Sequence, residues 1–404
     1  MRTRQPALDR DPDTSRSGTS VPRSNAAWIG FALGVGVLVG VAAWLTNSRP
    51  PDVTDIEHDW LAVHGALTSN AYLSPTELAR QLDPPVDLIL MVGATDTPHP
   101  RTPGALLLAL PLALVPFDAV YFVWFGVNVA LLTVLIGWSA SLVDGPRWRW
   151  WTLAGLSMPV LQTAYIGSQS ALVALLVLGS WALLERRELA SGALLAAAIC
   201  LKLWPAALLV PLLASRRYRP ALAAIGVALL LNAAGMVLPG VSLSIAAGAF
   251  GQVAEGWIGW PSNASLPSLI YDLGAPVPWA IAASSLLLGL SLALCWLRFR
   301  RRTLDQPWLW IIAGLLAIPI SWPSYDVVLV PLALTLAAAG ARRRLLIGWM
   351  VLAIWVSAPW IQLAAGGVAA DAWIALVPRL LLGLGAFILL DDDAAPGPLR
   401  LAAS

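Results

Sequence analysis

Long apolar runs without charge are the feature that most constrains the fold of this 404-residue chain. The first run, residues 26–46, is long enough to cross a bilayer as a helix, which takes about 20 residues. Only 12% of the residues are charged, against about 25% in soluble domains. Further runs lie at 104–117, 118–142, 149–166, 168–184, 189–214, 220–239, 277–297, 307–321, 326–340, 345–361 and 372–390. We therefore predict an all-α polytopic membrane protein of about 10–12 transmembrane or re-entrant helices.

The first run favours a retained membrane anchor over a cleaved signal peptide. A signal peptide has an apolar core of about 7–15 residues and a small-residue cleavage site, whereas this run is longer and ends in Ala-Trp-Leu-Thr. The polar residues before it predict a disordered cytoplasmic tail. The predicted organisation is a tail at 1–25, one membrane domain at 26–390 and a C-terminal tail at 391–404.

Arginine clusters in short loops predict the orientation in an inner (plasma) membrane. Loops on the cytoplasmic side carry an excess of Lys and Arg, so the two longest loops, 47–103 and 240–276, are expected on the extracytoplasmic side. The clusters expected in the cytoplasm lie at 147–149, 185–188, 215–219, 298–302 and 342–344.

Two apolar runs fit this orientation only if they do not cross the membrane. Both flanks of 189–214 look cytoplasmic, and Leu201-Lys-Leu-Trp-Pro205 interrupts it, so we predict a hairpin of two half-helices. Pro111 and Pro116 interrupt the residues around 104–117, where we predict a short or re-entrant helix. Irregular backbone at membrane depth persists only where it is buried in protein or lines a cavity.

Lys202 is the strongest single-residue signal, because it is the only lysine in the chain and lies within an apolar run. A charge at the centre of a bilayer costs about 2.5–3.5 kcal/mol even on lenient scales. One interpretation is a lysine that snorkels to the interface. The other, which we favour, is a point charge that binds a buried anion, most simply a phosphate.

The second signal is a group of ionisable residues in the first long loop. All three histidines of the chain lie there. A solvated loop and a metal site are alternative interpretations, although the spacing fits no established ligand pattern. We favour a carboxylate that acts as general base, with nearby cations that hold an anionic substrate. The group comprises Asp55, Glu57, His58, Asp59, His64, His99 and Arg101.

Three segments on the same predicted side, 165–170, 259–266 and 318–326, hold one charged residue between them, Asp326, and together offer hydroxyls, amides and tryptophans. Each is compatible with a simple turn, and each also offers the groups that bind a sugar. Cys200 and Cys295 lie in apolar runs and predict neither a disulfide nor a metal site. The chain has no GxGxxG, Walker A or HExxH motif. The net charge of +2 does not indicate a nucleic-acid partner, and we predict no cofactor.

Several short motifs occur in an order that resembles glycosyltransferase family 87. They run from about Asp55 to Pro331, and their order is more specific than any one of them. They are an acidic motif after the first span, His-Pro-x-x-Pro-Gly, a Gly-x-Gln turn, Lys-x-x-Pro, an Asn-x-Ser-Leu loop and a Ser-Trp-x-x-Tyr turn. The resemblance implies a GT-C-type helical bundle and inverting, metal-independent transfer from a polyprenyl-phosphate sugar. It also implies an extracytoplasmic glycolipid or glycan acceptor, with mannose or another hexose as the sugar.

The resemblance implies a role for individual residues. The general base is Asp59 or Asp55, and we favour Asp59 because the Asp-aromatic pair fits the family pattern better. Arg101 and His99 are the expected cations of the loop. The remaining expected substrate-binding residues are Lys202, Gln169, Asn263, Ser265, Ser321, Trp322 and Tyr325.

Two departures from the family pattern bear on sugar specificity. Gly167-Ser168-Gln169 has one residue more than the usual Gly-Gln pair, and Tyr325-Asp326 replaces the usual His-Tyr pair. A membrane transporter or flippase for a lipid-linked or soluble sugar is the alternative function, because it would also need intramembrane charge and sugar-binding loops. A family relative without catalysis is a third possibility.

Overall fold

The chain folds as a bundle of helices in the computed structural model. The structure describes residues 24–48, 54–86, 88, 96, 98, 101–260, 263–299, 307–339, 341–365 and 371–391, and these contain no β-strand. The predicted all-α class is therefore confirmed. The predicted tails lie outside the described residues, except that Ser24 and Asn25 already belong to the first helix and Asp391 to the last.

Eighteen α-helices and three 3₁₀ helices make up the described part of the chain. The first nine α-helices are α1 Ser24–Leu45, α2 Asp55–Thr68, α3 Pro75–Arg80, α4 Pro103–Ala109, α5 Phe117–Ser141, α6 Arg147–Gly155, α7 Met158–Tyr165, α8 Ser170–Leu183 and α9 Glu188–Leu201. The others are α10 Leu209–Ala214, α11 Tyr218–Gly235, α12 Leu243–Trp257, α13 Leu266–Asp272, α14 Val277–Phe299, α15 Trp308–Ala317, α16 Val330–Ala337, α17 Arg342–Ala365 and α18 Asp371–Asp391. The 3₁₀ helices are Leu110–Leu114, Trp204–Leu208 and Pro323–Leu329.

Three helices among the described residues are long and apolar enough to cross a membrane: Ala27–Leu45, Phe117–Ser141 and Tyr218–Gly235. Eight shorter apolar helical segments of 10–17 residues accompany them. Together they agree with the predicted number of transmembrane or re-entrant helices. Proline explains part of the shortening, because it removes a backbone donor and breaks a helix.

The run 189–214 forms the predicted hairpin. Its helix α9 ends at Leu201, and Lys202 is extended, with φ −145° and ψ 135°. The residues beyond the break return, because Arg217 forms an ion pair with Glu185, which precedes α9, at 2.6 Å. A straight helix over the same residues would separate these two side chains by more than 40 Å at about 1.5 Å per residue. The hairpin therefore carries Lys202 at its tip.

Residues 103–114 are the predicted short or re-entrant segment. Helix α4 and the 3₁₀ helix that follows total about 20 Å, well short of the roughly 30 Å hydrocarbon core. The start of the segment is tied to the hairpin by the Thr102 hydroxyl, which donates to the Cys200 carbonyl at 2.9 Å. Its end is tied to α2 by the Trp60 indole, which donates to the Val115 carbonyl at 2.7 Å.

The bundle has two distinct ends. One end, which we call the basic end, holds the arginine loops at 147–149, 185–188 and 215–219. The other, the site end, holds the hairpin tip and α2. Helix α5 starts at the site end, where Phe117 packs on Trp60 with ring centroids 5.1 Å apart. It is 25 residues long and ends at Ser141, shortly before the 147–149 arginines.

The stretch 55–68 is not the solvated loop considered from the sequence. It is helix α2, whose carboxylates Glu57 and Asp59 are both buried. Glu57 accounts for the helix start, because its carboxylate accepts hydrogen bonds from the Thr54 amide and hydroxyl, each at 2.8 Å. Such a capping box satisfies amide groups that the first helical turn leaves without partners.

Candidate active site

Asp59 is the centre of the candidate site. Its side chain has no exposed surface. The Arg101 guanidinium donates from Nε to one carboxylate oxygen, and the Gln169 amide donates to the other at 2.7 Å. The structure thus brings together three of the predicted site residues, which come from α2, from the residue pair before α4 and from the turn before α8.

The turn that carries Gln169 has a backbone reason for its glycine. Gly167 has φ +67°, in the left-handed region that a residue with a Cβ adopts at a cost. Asn128, buried within α5, donates its amide to the carbonyls of Thr163 at 3.2 Å and Ser168 at 3.0 Å. The turn is also joined to α2, because the Asp55 amide donates to the Ile166 carbonyl at 2.9 Å. These contacts fix Gln169 against Asp59.

Lys202 lies beside this group, with only 8% of its surface exposed. Its ammonium donates to the Tyr325 hydroxyl at 3.0 Å and lies 4.5 Å from the centre of the Tyr325 ring. A snorkelling lysine would extend its ammonium to the interface, so that interpretation does not fit. The positive charge is instead held inside the protein, at the tip of the hairpin.

Burial and nearby charge set the proton affinity of the groups on α2. Burial raises the pKa of the Asp59 carboxyl, while the charge of Arg101 and its hydrogen bond oppose the increase. Burial lowers the pKa of His58 to about 4, so its imidazole is neutral near pH 7. Among the described residues, Arg101 and Lys202 are the cations whose charge acts on Asp59.

The two residues that donate to Asp59 each have a further buried polar atom that makes no hydrogen bond within the described part of the chain. These atoms are Nη2 of Arg101 and Oε1 of Gln169. Buried polar groups are paired in the great majority of cases, and exceptions call for an explanation such as a ligand or an ordered water. A guanidinium nitrogen is a strong donor to phosphate oxygens. These two atoms, one donor and one acceptor, are available to a polar ligand.

The Asn263 loop has a different geometry from that expected. The Asn263 amide donates to the Pro319 carbonyl at 2.7 Å and accepts from the Ser321 amide at 2.9 Å. The Ser265 hydroxyl also donates to the Pro319 carbonyl, at 3.1 Å. The side chains of Asn263 and Ser265 therefore join this loop to the 319–321 turn. Their predicted role in sugar binding stays a prediction.

The remaining predicted residues differ in their burial and in their contacts. Asp55 lies one turn earlier on α2 and is half-buried. The Trp322 ring is half-buried and packs edge-on against Trp257, with centroids 5.7 Å apart. The Ser321 hydroxyl is buried and has no partner among the described residues. His99 lies outside the described residues. In the part of the chain that the structure describes, no three His, Cys, Asp or Glu side chains are arranged so that they could hold one metal ion.

An ion pair between Arg379 and Asp326 was missed in the sequence analysis. Both side chains are buried, and the Arg379 Nε donates to the Asp326 carboxylate at 2.5 Å. The signal was available, because Arg379 is a single charge in the run 372–390, as Lys202 is in its own run. Its partner was not evident, because 53 residues separate the two in the sequence.

The arrangement combines the parts of an acid–base group-transfer site. A buried carboxylate with a raised pKa can accept a proton from a hydroxyl. Two cations at its side can stabilise an anion that forms or leaves. The tyrosine and tryptophan of the 321–326 segment add aromatic side chains, a type of surface on which a sugar ring can stack.

Comparisons with known proteins indicate the family of the chain. Residues 102–321 match the family model described as glycosyltransferase family 87. Over 334 residues the chain is 32% identical to a polyprenol-phosphate-mannose-dependent alpha-(1-2)-phosphatidylinositol pentamannoside mannosyltransferase of Mycobacterium tuberculosis (strain CDC 1551 / Oshkosh). This match covers 75% of the chain and 74% of the relative. No solved structure matches the chain.

Proposed function

The chain belongs to glycosyltransferase family 87, and from this premise we propose that it transfers mannose from polyprenyl phosphate to an extracytoplasmic glycolipid or glycan. It is a membrane glycosyltransferase with a polyprenyl-phosphate-sugar donor. Mannose and a glycolipid acceptor come from the name of the relative. The observation that carries the proposal is the buried Asp59 carboxylate between Arg101 and Gln169, with Lys202 beside it.

In the proposed reaction Asp59 is the general base. It accepts the proton of the acceptor hydroxyl while that oxygen forms a bond to the anomeric carbon of the sugar. The bond between the anomeric carbon and the phosphate oxygen breaks, and the polyprenyl phosphate leaves with the electron pair. The attack comes from the face opposite the phosphate, so the anomeric configuration inverts. Base catalysis of this kind typically contributes about 10²–10⁴-fold to the rate.

Lys202 and Arg101 are proposed to bind the phosphate of the donor. The phosphate gains negative charge as it leaves, and cations in a buried site stabilise that charge more strongly than in water. Nη2 of Arg101 supports this role, because it has no hydrogen-bond partner among the described residues. The Tyr325 hydroxyl, which accepts from Lys202 at 3.0 Å, keeps the ammonium in place.

The proposed location of the active site is the extracytoplasmic face of the plasma membrane. The arginine loops gather at the basic end, and basic loops are retained in the cytoplasm. Asp59 and Lys202 lie at the site end, one helix length away along α9. A lipid-linked donor can reach such a site from the bilayer, which accounts for a site built among apolar helices.

The transporter alternative is not favoured by the family match or by the relative. Transport moves a sugar without breaking its bond to phosphate, so a transporter would bind the donor but transfer no sugar to an acceptor. A donor panel tests the proposal. Purified protein is incubated with polyprenyl phosphates carrying labelled mannose, glucose, galactose or arabinose, together with a mannosylated glycolipid. We expect label in the glycolipid from the mannose donor, and transfer from another donor alone would contradict the sugar assignment.

A further inference from the structure

Arg379 connects three segments at the site end through one side chain. Its Nε donates to the Asp326 carboxylate at 2.5 Å, its Nη1 to the Ala264 carbonyl at 2.5 Å and its Nη2 to the Trp322 carbonyl at 2.8 Å. All three nitrogens therefore have partners. The guanidinium has no exposed surface, although it lies on the apolar helix α18.

The position of these acceptors ties Arg379 to the Lys202 side of the site. Asp326 follows directly after Tyr325, whose hydroxyl accepts from the Lys202 ammonium. The Trp322 carbonyl that Arg379 binds also accepts from the Tyr325 backbone amide, at 3.0 Å. The guanidinium thus holds the backbone on either side of Tyr325.

Stability alone does not account for this pair. Burying two charges has a large desolvation cost, and replacing a buried ion pair with apolar side chains is often neutral or stabilising. What the pair supplies is a planar fork of donors in fixed directions, which a lysine cannot reproduce. Such a fork defines the relative positions of its three acceptors.

We propose that Arg379 and Asp326 are positioning residues for donor binding. They hold the 321–326 segment so that Tyr325 keeps the Lys202 ammonium directed at the donor phosphate and Trp322 stays beside the sugar. The inference rests on the proposed function, since it assigns Lys202 to the phosphate. Neither residue needs to touch the donor.

The test uses a variant that removes the pair and preserves the fold. In Arg379→Met with Asp326→Leu, no buried charge is left without a partner, so the melting temperature is expected to stay near that of the wild type. The donor KM and the Kd for polyprenyl monophosphate should both rise about tenfold, the effect of one misplaced charge-assisted hydrogen bond. The kcat should change much less. Arg379→Lys, which keeps the charge without the fork, should show the same pattern.

A double-mutant cycle separates positioning from general stability. If the pair acts through Tyr325, the effects of the pair variant and of Tyr325→Phe on the Kd should overlap. The Kd of the variant that combines them should then exceed the wild-type Kd by less than the product of the two separate fold-increases. Arg217→Gln is the matched control, because it breaks an ion pair at the basic end, and its Kd should equal that of the wild type.

The results that would contradict this inference differ from those that would contradict the proposed function. Folded Arg379→Lys and pair variants with wild-type KM and Kd would overturn the positioning role, and so would fully multiplicative effects in the cycle. Absence of transfer by the wild type from every donor would contradict the proposed function. The Kd for polyprenyl monophosphate would still decide the inference in that case, since binding needs no turnover.

Discussion

At the scale of single residues, the charges at the site divide into the proposed base, Asp59, and its neighbouring cations. Asp59 has a raised pKa, which suits a proton acceptor, whereas Lys202 and Arg101 carry the positive charge. His58 does not add to that charge near pH 7, because burial lowers its pKa to about 4. The neutral histidine leaves the attraction between Asp59 and Arg101 undisturbed.

Lys202→Met is expected to weaken donor binding. A hydrogen bond to a charged group contributes about 1.5–3 kcal/mol, so the Kd for polyprenyl monophosphate should rise roughly 10- to 100-fold. Lys202→Arg should retain part of the affinity, because it keeps the charge. The measurement is equilibrium binding with purified protein. An unchanged Kd in folded Lys202→Met would remove this residue from the phosphate site.

The raised pKa of Asp59 predicts the pH dependence of turnover. The base acts in its ionised form, so kcat should rise with pH through the pKa of Asp59, at a pH above the ordinary aspartate value of about 4. Arg101 lowers this pKa, so Arg101→Gln should move the rise to higher pH. The measurement is kcat at saturating donor between pH 4 and 9. A shift to lower pH would contradict the assigned ion pair.

At the scale of helices and turns, the sequence was informative where the type of a single residue was unusual for the apolar run that contains it. Lys202 in an apolar run identified the tip of the hairpin, and Pro205 identified its break. The helical state of 55–68 was less evident, because its many charges suggested solvent, whereas Thr54 and Glu57 cap a buried helix. Contacts that pair distant segments, such as Arg379 with Asp326, leave no local pattern to read.

The turn before α8 offers a test at this scale. Gly167→Ala would place a Cβ 3.0 Å from the Ile56 side chain at φ +67°, in a region that costs roughly 1–2 kcal/mol for a non-glycine residue. We expect the turn to move and Gln169 to lose its hydrogen bond to Asp59, so kcat should fall. Gly226→Ala is the control, because nothing lies within 4 Å of its Cβ position. Equal kcat in both variants would show that the turn geometry is not needed.

At the scale of the whole molecule, the two ends of the bundle carry different kinds of residue. Small residues allow α1 and α5 to approach closely, since a Cβ at Gly36 would clash with the Gly126 carbonyl. The long apolar runs were sufficient to predict the helical class, because a helix satisfies the backbone hydrogen bonds of such a segment within the segment itself. They could not predict which loops meet over Asp59, since that depends on packing between helices.

The orientation can be tested by labelling single cysteines in a variant that lacks Cys200 and Cys295. Arg80 and Glu255 are exposed at the site end, and Arg219 is exposed at the basic end. A membrane-impermeant thiol reagent applied to intact cells should label Arg80→Cys and Glu255→Cys, while Arg219→Cys should react only after permeabilisation. The reverse pattern would invert the proposed orientation.

The role of Asp59 is tested most directly by the transfer rate of Asp59→Asn, with donor affinity measured in parallel. The amide keeps the size of the side chain and loses its basicity, so turnover should fall about 10²–10⁴-fold while the donor Kd stays near that of the wild type. Asp55→Asn and Glu57→Gln are the matched controls on the same helix, and both should retain transfer. A wild-type rate in Asp59→Asn, or a loss confined to Asp55→Asn, would contradict the account.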